Sequence, residues 1–424
     1  MSSINKKSNN TNVFVPNNNE LLKRSCMNCM LWEKTFYEDG EEIYARIAKL
    51  ADNASGEEIR TIMYEAKNEQ QLRHLPLALL TILAKKRELK RTDVCDMITR
   101  ADDLSELLAL YWRNGKVPIP KQMKLGMQDA FVKFNEYQLG KYKGRKNVIS
   151  LKDVIKLVRP TPSGKEQSDL WKKLVGGTLD TPKTWETMLS AGQDKKRTFT
   201  ELLAEKQIGG LALIRNLRNM RDADVDGQLI RESLRNINTK YLNPYLLVKA
   251  GMNVDDYQRD LEFLLEKASE NLPTLKGKTV ILVDNSGSMQ WDDRALADQA
   301  CSLALVLNNT CEWTETYAFS NKETKVSFSK GFALIRAIKE TAVGGTALGR
   351  TIRNLKLIEK DVERLIVITD EQSQDNPNFA NFAKHSYIVN VAPYENGVGY
   401  SQNVTHFSGI SPNFVKYIAK LEEK

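Results

Sequence analysis

The chain has 424 residues, of which 41% are hydrophobic and 27% are charged, so it is long enough for two or three globular domains with their own cores. No run of the sequence approaches the roughly 18 apolar residues of a membrane helix. Residues 1–12 are rich in Ser, Asn and Lys and have no apolar centre, which argues against a secretory signal peptide. We therefore expect residues 1–14 to be a disordered tail, and we expect no membrane partner.

The cysteines do not follow the spacing of a disulfide framework, and their number is odd. They are Cys26, Cys29, Cys95, Cys301 and Cys311. Cys26 and Cys29 form a C-x-x-C pair, but no second pair or nearby histidine completes a zinc site, and the pair lies in an apolar pattern. We predict buried free thiols, a reducing compartment and a cytoplasmic location.

Helical periodicity dominates residues 15–272, which we predict to form one all-α domain. Its apolar stripes comprise Leu77, Leu80 and Ala84; Leu104, Leu107, Leu108 and Tyr111; Leu213, Leu217 and Met220; and Val254, Tyr257, Leu261 and Ala268. Thr181 and Pro182 are predicted to start a helix over 181–189, and Asn253 is predicted to cap the helix that follows it. Short amphipathic helices in succession are typical of a helical-pair solenoid, although the sequence has no strict period.

Strand-like and helix-like patterns alternate over residues 277–424, after a stretch of linker composition at 272–277. The predicted strands are 278–284, 314–319, 324–328, 363–369 and 386–391. The predicted helices are 293–308, 331–341, 347–358, 377–384 and a closing helix near 412–422. This alternation is typical of a doubly wound parallel sheet, that is, a Rossmann-like α/β domain.

Two of the predicted strands end in a carboxylate. The first ends at Asp284 and is followed by Ser286 and Ser288, and the second ends at Asp370. A glycine-rich loop between the two strands carries Thr346. Open α/β sheets bind ligands at the carboxyl ends of their strands, and carboxylate and hydroxyl oxygens suit Mg²⁺.

The order D-x-S-x-S, then G-G-T, then strand-T-D resembles the metal-ion-dependent adhesion site of von Willebrand factor A domains. The resemblance implies a divalent cation surrounded by Asp284, Ser286, Ser288, Thr346 and Asp370, some directly and some through water. With few carboxylates around it, the cation would keep an open position for an oxygen of a partner. The alternative interpretation is a polar loop in which Ser and Gly only form turns.

Two further observations bear on this prediction. Residues 175–178 repeat the V-G-G-T tetrapeptide, but no strand ending in Asp accompanies them, so we assign them to a loop in the helical part. The chain has no H-E-x-x-H motif, and its histidines are His74, His385 and His406. Because no general base is evident, we predict a binding protein and not an enzyme, with a metal-dependent hydrolase as the weaker alternative.

The net charge of +8 is concentrated in one window, since residues 111–160 hold 12 basic and 3 acidic residues. Lys141, Lys143 and Arg145 lie in its densest part, and Lys152 and Lys156 have the spacing of one helical face. Neutralising nucleic-acid phosphates requires cations at such density. The alternative is a solvated charged face with no ligand.

Several short motifs lie in the helical part. They are Leu31-Trp32-Glu33; Leu72-Arg73-His74-x-Pro76; Lys141-x-x-x-Arg145, Ser150-x-Lys152-Asp153 and Leu157-Val158-Arg159-Pro160; and Leu211-Ala212-Leu213-Ile214-Arg215-Asn216-Leu217. Followed by the A-type domain, they resemble the TROVE family of Ro RNA-binding proteins over residues 15–424. That resemblance implies a ring of HEAT-like helical repeats closed by the A domain.

The resemblance also implies function. Family members bind small structured Y RNAs on a basic outer surface, where Lys141, Arg145 and Arg159 would contact phosphates. They bind the single-stranded 3′ ends of misfolded non-coding RNA in the hole of the ring. Arg215 and Arg218 are candidate cations of that channel, or alternatively a helix surface without a partner.

The chain departs from the family pattern at two positions, because Leu151 and Arg159 stand where animal relatives carry histidine. One additional residue also separates Arg145 from the Ser150 motif. We expect an RNA-binding scaffold in RNA quality control or decay, with an exoribonuclease as a partner suggested by the resemblance and no role with DNA. The alternative function is a metal-dependent protein-binding adaptor without a specific RNA role.

Overall fold

The computed structural model describes residues 18–27, 40–69, 72–142, 149–242, 244–290, 295–327, 329–392, 403–408 and 414–423. The predicted tail, the Leu31 motif, Cys29, Lys143 and Arg145 lie outside these residues. The chain divides into two compact units, Tyr44–Asp194 and Met1–Ile43 with Lys195–Lys424. The boundary that we predicted between residues 272 and 277 remains a prediction.

The helices of the N-terminal two thirds follow one another with short connections. They are α1 Asn18–Met27, α2 Gly40–Asp52, α3 Gly56–Asn68, α4 His74–Lys85, α5 Arg91–Met97, α6 Ala101–Tyr111, α7 Lys121–Phe131, α8 Glu136–Gly140, α9 Leu151–Val158, α10 Lys165–Gly176, α11 Trp185–Ser190, α12 Lys195–Ala204, α13 Gly210–Asp222, α14 Gly227–Arg235, α15 Pro244–Asn253 and α16 Gln258–Ser269. Neighbouring helices pack in pairs such as α3 with α4, α5 with α7, and α15 with α16. The predicted succession of helical pairs is confirmed.

Arg73, in the Leu72-Arg73-His74-x-Pro76 motif, stabilises the packing of two helices. Its guanidinium donates to the carboxylates of Asp102, at 2.8 Å, and Glu106, at 2.7 Å, and it also contacts Asp103. These acidic residues belong to α6, whereas Arg73 precedes α4, and α4 packs against α6. Arg73 therefore fastens two helices together within the Tyr44–Asp194 unit.

Two predicted helix starts were wrong. Helix α11 begins at Trp185, because the side chain of Thr184, not that of Thr181, accepts the N–H of Thr187 as its N-terminal cap. Asn253 ends α15 instead of starting the next helix, and its side-chain amide donates to the carbonyl of Lys249 at 2.6 Å. In both cases a competing hydrogen bond nearby decided the boundary, which sequence patterns locate poorly.

The C-terminal part contains a six-stranded sheet in the order β3-β2-β1-β4-β5-β6. Its strands are β1 Leu275–Asp284, β2 Cys311–Phe319, β3 Glu323–Lys325, β4 Arg364–Thr369, β5 His385–Asn390 and β6 Thr405–Ser408. Its helices are α17 Ala295–Thr310, α18 Phe332–Lys339, α19 Leu348–Ile358 and α20 Phe414–Glu422. All strand pairs are parallel except β2 with β3, so the predicted doubly wound sheet is confirmed.

Two features of this sheet differ from the prediction. Strand β6 was missed because four residues carry too little pattern. The predicted helix 377–384 is wrong, since the segment is a loop in which Asn378 accepts the N–H of Ala380. Phe379 and Phe382 of that loop are buried in the core against α19, which gave the segment its misleading apolar spacing.

The remaining predictions about composition were partly confirmed. Cys301 and Cys311 are buried free thiols, and Cys26 is also buried, whereas Cys95 is only half-buried. Residues 175–178 belong to the end of α10, where Gly177 has a φ of 77° and terminates the helix. Of the helices in the described segments, none combines the length and the apolarity that spanning a bilayer requires.

Candidate metal centre and cationic surfaces

The register of the parallel sheet places the ends of β1 and β4 side by side. Val283 pairs with Ile368, so Asp284 and Thr369 are neighbours at the carboxyl edge. The hydroxyl of Thr369 donates to Oδ2 of Asp284 at 2.5 Å, and the N–H of Ser286 donates to Oδ1 at 2.8 Å. The orientation of the Asp284 carboxylate is therefore fixed from two directions.

The two serines and the threonine loop gather around this carboxylate. The hydroxyl oxygens of Ser286 and Ser288 lie 3.3 Å apart. Gly344 forms an isolated parallel bridge with Ser286, and its carbonyl accepts the N–H of Gly287 at 2.9 Å. This pairing brings Thr346, two residues later and 4% exposed, to the same edge of the sheet.

Asp370 is fully buried and only partly satisfied. Its Oδ1 accepts the N–H of Gln372 at 3.1 Å, whereas its Oδ2 has no hydrogen-bond partner among the described residues. Burial and the neighbouring charge of Asp370 raise the pKa of Asp284 to about 7, although hydrogen bonds from Thr369 and Ser286 act in the opposite direction. Two buried carboxylates near each other, one with an unused oxygen, are an arrangement that a divalent cation would stabilise.

The structure places all five predicted residues at the same edge of the sheet. Their donor set is two carboxylates and three hydroxyls, which fits Mg²⁺ or a similar hard cation. Within the described segments, no three His, Cys, Asp or Glu side chains form a metal cluster, so an acid-rich site of another kind is not found there. Metal binding itself remains a prediction.

Sequence reasoning missed the residues that support these side chains. Asp375 accepts the N–H groups of Gly349 and Arg350, both at 2.7 Å, and so caps the start of α19 directly after the Thr346 loop. The carbonyl of Thr346 accepts the N–H of Gln374 at 2.8 Å. No local pattern marks these contacts, because they join segments that meet only in the folded domain.

Helix α9 carries the C-terminal part of the basic window. Ser150 and Asp153 form a capping box at its start, and its apolar face is buried. Lys152 and Lys156 lie on the exposed face, and Arg159 follows at the end of the helix with a φ of 51°. None of these three cations forms a salt bridge with a described residue. Leu151, at one position of departure from the family pattern, is buried in the core.

Other exposed cations belong to the same basic window. Lys141 is exposed, and its ammonium lies 5.9 Å from the ring of Tyr142, which Arg100 approaches from 5.1 Å. Lys116, which the sequence did not single out, is close enough to α9 for its charge to lower the pKa of Asp153, after the larger effect of hydrogen bonds from Ser150. We call Lys116, Lys141, Lys152, Lys156 and Arg159 the α9 surface.

A groove of about 250 Å³ lies between α13 and α15. Exposed Arg215 and Arg218 line one side, and Lys249 lies on the other; none of the three is in a salt bridge with a described residue. Carboxamides of Asn219 and Asn253 complete the polar rim. Ile214, Leu217, Leu246 and Val254 form its apolar floor. Lys249 was not predicted, because its role depends on the approach of α15 to α13.

Comparisons with known proteins agree with these observations. Residues 74–176 match the sequence model of the TROVE domain. The crystal structure of the RO (RSR) protein of Deinococcus radiodurans superimposes with a TM-score of 0.64 at 16% identity, covering 96% of this chain and 100% of that one. Proximal thread matrix protein 1 from the mussel byssus is a weak match, with a TM-score of 0.25 and 13% identity over 38% of this chain and 50% of that one. No curated protein matches the sequence.

The TROVE match spans α4 to α10 and so includes the α9 surface, and the structural likeness extends over nearly the whole chain. The helical pairs followed by the doubly wound sheet are the architecture that the family resemblance implied. Residues 74–176 therefore match the TROVE domain, and the chain as a whole has the fold of the RO protein.

Proposed function

We propose that this protein is a non-enzymatic RNA-binding scaffold. The observation that carries the proposal is the α9 surface, whose exposed cations have no carboxylate partners in the described structure and lie within the residues that match the TROVE domain. Lysines and arginines that are not neutralised within the protein attract a polyanion, and binding releases the counterions condensed on it. The expected ligands are small structured non-coding RNAs, Y-like in kind, in RNA quality control or decay.

The α13–α15 groove supports a second mode of RNA binding. Three cations above an apolar floor suit a single strand, whose phosphates would meet Arg215, Arg218 and Lys249 while bases contact the floor. A duplex presents its bases only at groove edges, so the floor favours an unpaired end. This groove is the proposed site for single-stranded 3′ ends of misfolded RNA.

The candidate metal centre adds a second kind of ligand. Asp284, Ser286, Ser288, Thr346 and Asp370 would hold Mg²⁺, which neutralises the two buried carboxylates and offers an open position to an oxygen of a partner. The chain's own residues fix the geometry, since Thr369 holds Asp284 in place. An exoribonuclease is one partner that the family resemblance suggests.

The test is filter binding of a small structured RNA over a range of salt concentrations. Each phosphate contact contributes roughly 0.7 to 0.9 to the slope of log K against log salt. Lys152→Ala with Lys156→Ala should therefore flatten the slope by roughly 1.4 to 1.8 and weaken binding roughly 25- to 60-fold at 0.1 M salt.

The matched control is Lys49→Ala with Lys90→Ala, which removes the same charge from exposed positions on α2 and before α5. An equal loss in the control would assign the effect to net charge alone. RNA binding that is absent, or that does not respond to salt, would contradict the proposal and favour a metal-dependent protein adaptor.

A further inference from the structure

Helix α18 connects the candidate metal centre to the helices that form the groove. Its C-terminal end is held by Asn285, which lies between the predicted ligands Asp284 and Ser286 and is 1% exposed. The side-chain amide of Asn285 donates to the carbonyls of Ile338, at 3.3 Å, and Thr341, at 3.1 Å. It also lies 2.9 Å from the hydroxyl of Thr341.

The other hydrogen bonds of Asn285 fix it to the sheet edge. Its N–H donates to the carbonyl of Phe319 at 2.8 Å, and its Oδ1 accepts from the amide of Gln290 at 2.6 Å. A side chain with all of these bonds cannot move without moving its partners. The segment that follows α18 leads directly into the loop of Gly344 and Thr346, so Asn285 joins two ligand-bearing loops to one helix end.

The N-terminal end of α18 is held by α15 and α16. Glu262 of α16 accepts the N–H of Phe332 at 2.8 Å, and Gln258 accepts from Arg336 at 3.2 Å. The tip of the Phe332 ring packs against Gly251 of α15, where an added Cβ would lie 2.0 Å from Cζ of the ring. Because this contact is so close, α18 cannot move without moving α15.

Helix α15 also forms one wall of the groove. Lys249 and Asn253 are four residues apart and line the groove, whereas buried Gly251 between them faces Phe332. A displacement of α18 would therefore be transmitted across one helix to the groove wall. All of these residues belong to the same compact unit.

We infer that Asn285 and Glu262 are positioning residues that hold the two ends of α18 and thereby link cation binding at the candidate metal centre to binding of a single strand in the α13–α15 groove. The inference rests on the function proposed above. Without a cation, Asp284 and Asp370 repel each other and the ligand-bearing loops are held less firmly. Neutralising the two carboxylates orders those loops, and through α18 it orders the groove wall, so the strand binds more tightly.

The experiment measures binding of a fluorescent fifteen-nucleotide oligouridylate by anisotropy, in EDTA and in Mg²⁺ at constant ionic strength. The wild-type protein should bind about five-fold or more tightly in Mg²⁺, the lower range of measured allosteric couplings. Asp284→Ala should lose this gain, and any gain that remains is the effect of Mg²⁺ on the oligonucleotide itself. By linkage, the oligonucleotide should strengthen Mg²⁺ binding, followed by thermal stabilisation, by the same factor.

Glu262→Ala removes the link without touching either site. Its affinity in EDTA should match that of the wild type, while its gain in Mg²⁺ should fall below about two-fold. Glu262→Gln keeps an acceptor oxygen and should retain the wild-type gain, which guards against a folding defect. Glu266→Ala, an exposed carboxylate on the same helix, is the charge-matched control.

The outcomes separate the two proposals. An oligonucleotide that binds in neither buffer contradicts the proposed groove. Binding in both buffers with no Mg²⁺ gain in the wild type, or with the same gain in Glu262→Ala, overturns the link and leaves the proposed function standing.

Discussion

The candidate metal centre and the α9 surface are assembled over very different distances along the chain. Asp284 and Asp370 belong to different strands and meet only because β1 and β4 pair in one register. Lys152 and Lys156 meet because they are four residues apart on one helix. The candidate metal centre is buried and depends on the fold, whereas the α9 surface is exposed and depends on local structure.

This contrast predicts how each region responds to mutation. In a buried site a charge deprived of its partner has no access to water, so the loss is large. On an exposed face, water replaces a lost partner at little cost. Three substitutions, two at buried positions and one at an exposed position, test this difference between buried and exposed charges, and their expected effects decrease from the first to the last.

Arg364→Leu should have the largest effect. Arg364 is 1% exposed, donates to Glu422 at 2.9 Å and to the hydroxyl of Thr279 at 3.0 Å, and so fastens α20 to the sheet. Removing one partner of a buried ion pair typically costs about 3 to 5 kcal/mol, because the other charge stays buried. Urea denaturation measures the loss of unfolding free energy.

The double variant Arg364→Leu with Glu422→Leu removes both charges and should recover much of that stability. If Arg364→Leu lowers the unfolding free energy by less than about 1 kcal/mol, the Arg364–Glu422 pair behaves as an exposed ion pair, which would contradict this prediction.

Asp284→Ala should abolish the stabilisation of the protein by Mg²⁺. A ligand at a hundred times its dissociation constant adds about 2.7 kcal/mol to the unfolding free energy if it binds only the folded state. Thermal unfolding with and without Mg²⁺ gives the difference. Glu423→Ala, an exposed carboxylate in the same part of the chain, should retain the full stabilisation. Unchanged stabilisation in Asp284→Ala would exclude this residue as a ligand.

Lys172→Ala should have the smallest effect. Its ammonium lies 2.8 Å from Asp169 on α10, but the two side chains are 74% and 49% exposed. Exposed pairs of this spacing contribute about 0.3 to 0.5 kcal/mol, so the unfolding free energy should change by no more than that. A loss above about 1 kcal/mol would show that local ion pairs in the helical part matter more than their exposure indicates.

Sequence patterns predicted the elements whose side chains repeat at a regular spacing. The buried strand before Asp284 and the apolar stripes of α4, α6 and α13 are confirmed, because periodicity reflects the face that each element buries. The predicted helix over 377–384 was wrong for the same reason, since Phe379 and Phe382 have the spacing of a helix but are buried from a loop.

The sequence by itself determined which residue types could hold a cation, which cations share the face of α9, and where helices give way to strands. Only the tertiary structure decided that Thr369 orients Asp284, that an oxygen of Asp370 is left without a partner among the described residues, and that Lys249 faces Arg215 and Arg218 across a groove. The physical reason is the separation along the chain over which each kind of interaction acts. Backbone hydrogen bonds and side-chain periodicity act between residues near in the chain, whereas strand register and helix packing bring together residues that no local pattern connects.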